Sequence, residues 1–119
     1  MFDWATLLNL AEELAQRPDE ASQRSAVSRA YYAAFCSARN KLRDKNEFTP
    51  TGRGKDHDNV WELLQTSAHK ERRRIGCLGN GLKIMRGKVD YVDEVPDLAK
   101  LISRAPGNAR RLLTDIQNL

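Results

Sequence analysis

Arg53, Lys55 and His57 fall within five positions of one run, TGRGKDH. A histidine titrates near neutrality, so it can take the proton of a ribose 2′-hydroxyl. Cations beside it can hold the charge that builds on a phosphate under attack. In this reading His57 is the proton-transfer group, Arg53 stabilises the anion, and RNA is cut without a metal. The competing account is a histidine at a helix start beside ordinary loop charges. The other histidine, His69, stands apart. Cys36 and Cys77 lie in expected helices without the spacing of a zinc site. They read as reduced, buried thiols of a cytoplasmic protein. No metal or other cofactor is expected.

A second group of side chains has types suited to gripping phosphate. Lys70, Arg72, Arg73, Arg74, Lys83, Arg86 and Lys88 make the densest basic zone. Arg72, Lys83 and Arg86 can share a helix face, and with Arg73, Lys55 and Arg29 they form the candidate RNA-binding set. An ordinary solvated face, broken by Glu71, is the alternative. The net charge of +4, from 20 basic and 16 acidic residues, favours an anionic partner only slightly. Arg29, close in sequence to Tyr31 and Tyr32, is expected to be partly buried. It then needs a carboxylate such as Asp90, or a bound anion. Tyr31, Tyr32, Tyr91, Trp4 and Trp61 read as core or dimer contacts, with stacking on single-stranded RNA the alternative for any that is exposed. Asp90, Asp93 and Glu94 cluster without a phosphate loop or a histidine, which makes a poor metal site.

The elements that carry these groups follow from apolar spacing. In Ser25–Leu42, Val27, Ala30, Tyr31, Ala34 and Ala38 recur at three- and four-residue steps, one face of a helix. Tyr32, Ala33 and Phe35 add apolar surface off that face, so this is the inner helix of a bundle. It belongs to a longer helix, Glu20 to about Lys45. Before it, Phe2–Gln16 is a helix with Asp3 as N-cap, ended by Pro18. Asn46–Lys55, with Pro50, Gly52 and Gly54, is a loop. Asp56–Ser67 is a short helix with Val60, Trp61 and Leu64 inward and Asp56 or Asp58 as its cap. His69–Tyr91 keeps its stripe of Ile75, Leu78, Leu82, Met85 and Val89 in phase across Gly79-Asn80-Gly81. That triplet is a turn signal, and the surviving phase favours one helix over two. A last helix starts at Pro96 or Asp97 and stays in phase through Pro106, where a kink is expected. No stretch alternates like a strand. The expectation is an all-α, up-and-down bundle of about five helices, mostly antiparallel.

At 119 residues, 40% apolar and 30% charged, the chain fits one soluble folded domain, residues 1–119. No apolar run approaches ~20 residues, so no membrane span is expected. The N-terminus lacks the basic start of a signal peptide.

The inner helix resembles the signature of the HEPN family, small helical domains of prokaryotic toxin, defence and nucleotidyltransferase-associated systems. The residues that carry the likeness are Ser28-Arg29-Ala30-Tyr31-Tyr32-Ala33-Ala34-Phe35, then Ala38 and Leu42. Lys55-x-His57-x-x-Val60 and Leu82-x-x-x-Arg86-x-x-Val89-Asp90-Tyr91 follow in the family's order. The resemblance implies a helical bundle, a homodimer, and a link to RNA, nucleotides, or a nucleotidyltransferase or antitoxin partner. Many relatives are metal-independent ribonucleases, with an Arg, four to six residues and a His across a dimer cleft. Here only three residues separate Arg53 from His57, and no Arg stands at the required distance before His69. The absent spacing favours a binding module over a nuclease. A generic helical adaptor without nucleic-acid binding is the third reading.

Overall fold

The computed structural model describes residues 1–119 as five helices with no strand. They are α1 (Thr6–Ala15), α2 (Glu20–Asp44), α3 (Lys55–Gln65), α4 (Lys70–Tyr91) and α5 (Leu98–Gln117). Ala26, Val27, Ala30, Tyr31, Ala33, Ala34, Phe35, Ala38 and Leu42 of α2 are all buried. They point round most of the helix, because α1, α3, α4 and α5 all pack against it. The alanines keep neighbouring backbones close, and the aromatic rings fill the gaps between them. Leu8 and Ala11 of α1, Val60, Trp61 and Leu64 of α3, Ile75, Leu82 and Val89 of α4, and Leu101 to Ile116 of α5 complete one core.

Local chemistry sets the helix limits. Asp3 does not cap a helix beginning at Phe2. Its carboxylate accepts the Ala5 N–H at 3.1 Å and its carbonyl the Thr6 N–H at 3.0 Å, so residues 3–5 form a turn that leads into α1. Asp19 caps α2, accepting the Ser22 N–H at 2.9 Å. At its other end Asn46 adopts a left-handed φ of 60°. The Glu47 N–H reaches the Leu42 carbonyl and the Asn46 N–H the Arg43 carbonyl, both at 2.9 Å. This double closure satisfies carbonyls that the helix end leaves open, and asparagine tolerates the conformation it requires. Arg24 caps α4 from outside, donating to the carbonyls of Val89 at 3.0 Å and Val92 at 2.7 Å.

α4 runs unbroken through Gly79-Asn80-Gly81. A β-carbon at Gly79 would collide with the Trp61 ring, and one at Gly76 would lie 2.9 Å from Leu64 Cβ. These glycines serve close packing of α3 on α4, which outweighs their local preference for a turn. α5 is likewise one helix through Pro106.

Short links make α1/α2 and α3/α4 antiparallel hairpins. The long connection 45–54 does otherwise. It carries the chain back from the end of α2, where Glu47 pairs with Arg72, to the middle, where His57 meets Tyr31. α3 therefore runs beside α2 in the same sense, and His57 arrives at the inner helix.

Candidate functional site

His57, in the first turns of α3, stands against α2 and α4. Its imidazole stacks on Phe35, with ring centres 3.9 Å apart and planes 15° from parallel. Tyr32 meets it edge-on at 5.8 Å. The Tyr31 hydroxyl lies 2.7 Å from His57 Nδ1, and Trp61 Nε1–H donates to the same hydroxyl at 3.1 Å. Trp61 follows His57 by four residues, so both rings leave one face of α3.

This chain of donors favours one imidazole tautomer. Indole N–H can only donate, so the Tyr31 oxygen accepts from Trp61. The Tyr31 proton has one acceptor within reach, the lone pair of His57 Nδ1, so the arrangement that satisfies every donor has Tyr31 donating to Nδ1. In that arrangement the proton of a neutral imidazole sits on Nε2. That nitrogen has no partner within the chain and reaches solvent. Burial lowers the His57 pKa below its ordinary 6.5, and the positive charges of Arg86 and Lys83 lower it further. Burial also pushes the Tyr31 hydroxyl pKa upward, so it stays protonated and able to donate. The lowered pKa favours an uncharged His57 around neutral pH, and in the favoured tautomer it donates through Nε2.

Arg86 closes the cluster from α4. Its guanidinium lies 5.5 Å from the ring centres of Tyr31 and Tyr32, and 5.8 Å from that of Tyr91. A desolvated cation over aromatic faces is held by ~2 kcal/mol. Asp90 Oδ2 stands 3.5 Å from the guanidinium and accepts from the Ser28 hydroxyl at 3.2 Å. Arg86 Nε is buried without a partner. Tyr91, 77% exposed, leaves one aromatic surface at the rim open to solvent.

The basic loop is built differently from the sequence expectation. Asp56 does not cap its own helix. It is buried, and its carboxylate accepts the N–H groups of Thr51 and Gly52, both at 3.0 Å, and the Thr51 hydroxyl at 2.6 Å. The Thr51 bonds hold its pKa below the usual carboxylate value. Asp58 pairs instead with Lys83. The clasp at Asp56 leaves Arg53, about one turn before His57, and Lys55, two residues before it, exposed and without ion pairs.

The candidate phosphate-gripping face is largely neutralised. Arg72 pairs with Glu47, Lys83 with Asp58 and Arg86 with Asp90. Arg73 donates to the carbonyls of Ser67 and Ala68, fastening the α3–α4 link. Arg29 is not buried: it is exposed, and Asp90 has gone to Ser28 and Arg86. Cys36 is buried as expected, whereas Cys77 is exposed. No group of three or more histidines, cysteines or acids is arranged to hold a metal. No helix is long and apolar enough to cross a membrane.

Sequence reasoning missed the Tyr31 hydroxyl as the link between His57 and Trp61. The i,i+4 spacing of His57 and Trp61 was the available signal. Comparison with protein-family models, with curated proteins and with solved structures finds no match to this chain.

Proposed function

We propose that this chain is a HEPN-like module of a prokaryotic toxin–antitoxin or defence system that binds RNA or a nucleotide and does not cut it. One observation carries the reading: the Tyr31 hydroxyl lies 2.7 Å from His57 Nδ1, and with that hydroxyl donating, the Nδ1 lone pair is taken and the free side of the ring is an N–H. A general base needs an open lone pair at the proton it removes. An N–H reaching solvent, with unpaired Arg53 on the adjoining loop and Lys55 at the start of α3, suits contact with a phosphate oxygen instead. Tyr91 at the rim adds a face on which a base can stack.

The test is a titration of labelled single-stranded RNA at several salt concentrations, in EDTA, followed by gel analysis of the same samples. The expected result is saturable binding that weakens as salt rises, with intact RNA. An Arg53→Gln, Lys55→Gln double variant loses affinity and flattens the salt slope by about two phosphate contacts. Cleavage abolished by His57→Ala overturns the reading in favour of a metal-independent ribonuclease. No binding at low salt overturns it in favour of a protein-binding adaptor, with a nucleotidyltransferase-type partner the first to try.

A further inference from the structure

Arg86 is the least exposed of the ion-paired arginines, its side chain 13% open to solvent. A guanidinium that deep is normally hydrogen-bonded through several of its N–H groups. Arg24 shows the usual pattern: it donates to Glu20 and to the carbonyls of Val89, Val92 and Asp93. Arg86 closes no hydrogen bond. Its Nε is buried without an acceptor, and Asp90, its ion-pair partner, stands 3.5 Å away while accepting from the Ser28 hydroxyl at 3.2 Å. The Tyr91 hydroxyl is nearby but is not aligned as an acceptor. The faces of Tyr31, Tyr32 and Tyr91 attract the charge and take up none of its N–H groups. Fold stability does not explain a cation left in this state, because an apolar side chain of similar length would pack there without unmet donors.

A second open donor flanks the same two rings. His57 packs against Tyr31 and Tyr32 with ring centres 5.6 and 5.8 Å away, and Arg86 lies 5.5 Å from each. After burial, the Arg86 charge is the largest influence lowering the His57 pKa, so the two groups are close in space. In the favoured tautomer His57 Nε2 carries a hydrogen with no partner in the chain. A guanidinium and an N–H beside one pair of rings suit the same acceptor, a compact oxyanion. Depth narrows the choice. Arg86 is recessed, whereas Arg53, Lys55 and Tyr91 are exposed. A phosphodiester inside a strand carries a ribose on each side and a single negative charge, which keeps it at the surface. A phosphomonoester carries one ribose, a charge of about −1.5 to −2 and three terminal oxygens, so it reaches further in and accepts from more donors.

We propose that Arg86 and the Nε2–H of His57 bind a phosphomonoester, the end phosphate of an RNA strand or of a mononucleotide. Tyr91, with its ring 5.8 Å from the guanidinium, takes the adjoining base, and Arg53 and Lys55 remain for phosphates further along. This inference rests on the RNA- or nucleotide-binding reading and narrows it: the chain reads an end rather than gripping a strand along its length.

Fluorescence anisotropy in EDTA tests it on one short single-stranded RNA bearing a 5′-phosphate, a 3′-phosphate or hydroxyls at both ends, with AMP and adenosine as competitors. A phosphorylated end is expected to bind at least ~10-fold more tightly than the hydroxyl form, the worth of a charge-assisted contact. AMP competes and adenosine does not. Arg86→Gln erases the preference for phosphorylated ends, whereas Arg53→Gln weakens all three RNAs alike. In the unaltered protein, AMP shifts the NMR signals of the Arg86 guanidinium and the His57 ring ahead of those of Arg53, a readout that stands even where Arg86→Gln does not fold. AMP binding without RNA binding supports the site and assigns it to a free nucleotide. Equal affinity for phosphorylated and hydroxyl RNAs, with the Arg53→Gln effect intact, overturns the end-phosphate site and leaves the RNA-binding reading standing. Binding of neither RNA nor AMP overturns both.

Discussion

Gly79 and Gly81 belong to the same turn-like triplet, yet alanine at each moves stability in opposite directions. A β-carbon at Gly79 would sit 2.6 Å from Cη2 of Trp61 and nearer still to two other ring carbons. Trp61 is fully buried, and its N–H is held by Tyr31, so it has no free direction in which to yield. Overpacking of this kind costs ~1–3 kcal/mol, and an overlap with a fixed ring belongs at the upper end. Alanine's better helix propensity returns ~0.8–1 kcal/mol, leaving a net loss of about 2 kcal/mol. At Gly81 an added β-carbon meets nothing within 4 Å, so only the propensity gain of ~0.8–1 kcal/mol remains. Thermal unfolding followed by circular dichroism measures both. Gly79→Ala lowers the melting temperature by roughly 6–10 °C and Gly81→Ala raises it by a few degrees. If both variants moved the same way, or Gly79→Ala matched the parent, close packing would not be the reason α4 runs through this triplet.

Three further outcomes follow from the site. The folded chain keeps His57 neutral over a pH range where the unfolded chain protonates it, because burial and Arg86 lower its folded pKa. The unfolded state then binds more protons, so this contribution is present above pH 6.5 and lost as pH falls through the window beneath it. His57→Gln should flatten the dependence of the urea midpoint on pH in that window, and a slope identical to the parent's contradicts the assignment. Tyr31→Phe strands the Trp61 N–H and His57 Nδ1 together and costs about 1–3 kcal/mol; an unchanged urea midpoint would rule out the donor chain. A thiol reagent should modify Cys77 in the native protein and reach Cys36 only on unfolding, because Cys36 is buried and burial raises its pKa. Two thiols reacting together in native buffer would refute that placement.

The helices were legible because apolar periodicity records which face of each is buried, and that record survives Gly79 and Pro106. What periodicity cannot give is which helices touch. Tyr31 and His57 are 26 residues apart, and they meet only because the 45–54 connection returns the chain along α2. Arg29 shows a local limit. It precedes Tyr31 by two residues, which puts it about 200° round the helix, facing water where the tyrosine faces the core. Arg24, one turn earlier, received no role from the sequence, yet it caps α4 through three carbonyls. Asp56 looked like a cap by position, but the Thr51 and Gly52 amides of the preceding loop claimed its carboxylate first. The exposure of Cys77 was readable, since it lies off the Ile75, Leu78 and Leu82 stripe.

The protonation of one ring separates a phosphate-binding histidine from a proton-abstracting one. Long-range proton–nitrogen NMR of the imidazoles, at neutral pH and in the absence of RNA, reports it for His57. The expected spectrum is that of a neutral ring with its hydrogen on Nε2, and with Nδ1 shifted as an acceptor of the Tyr31 hydroxyl. A hydrogen on Nδ1, or a doubly protonated ring at neutral pH, would contradict the account.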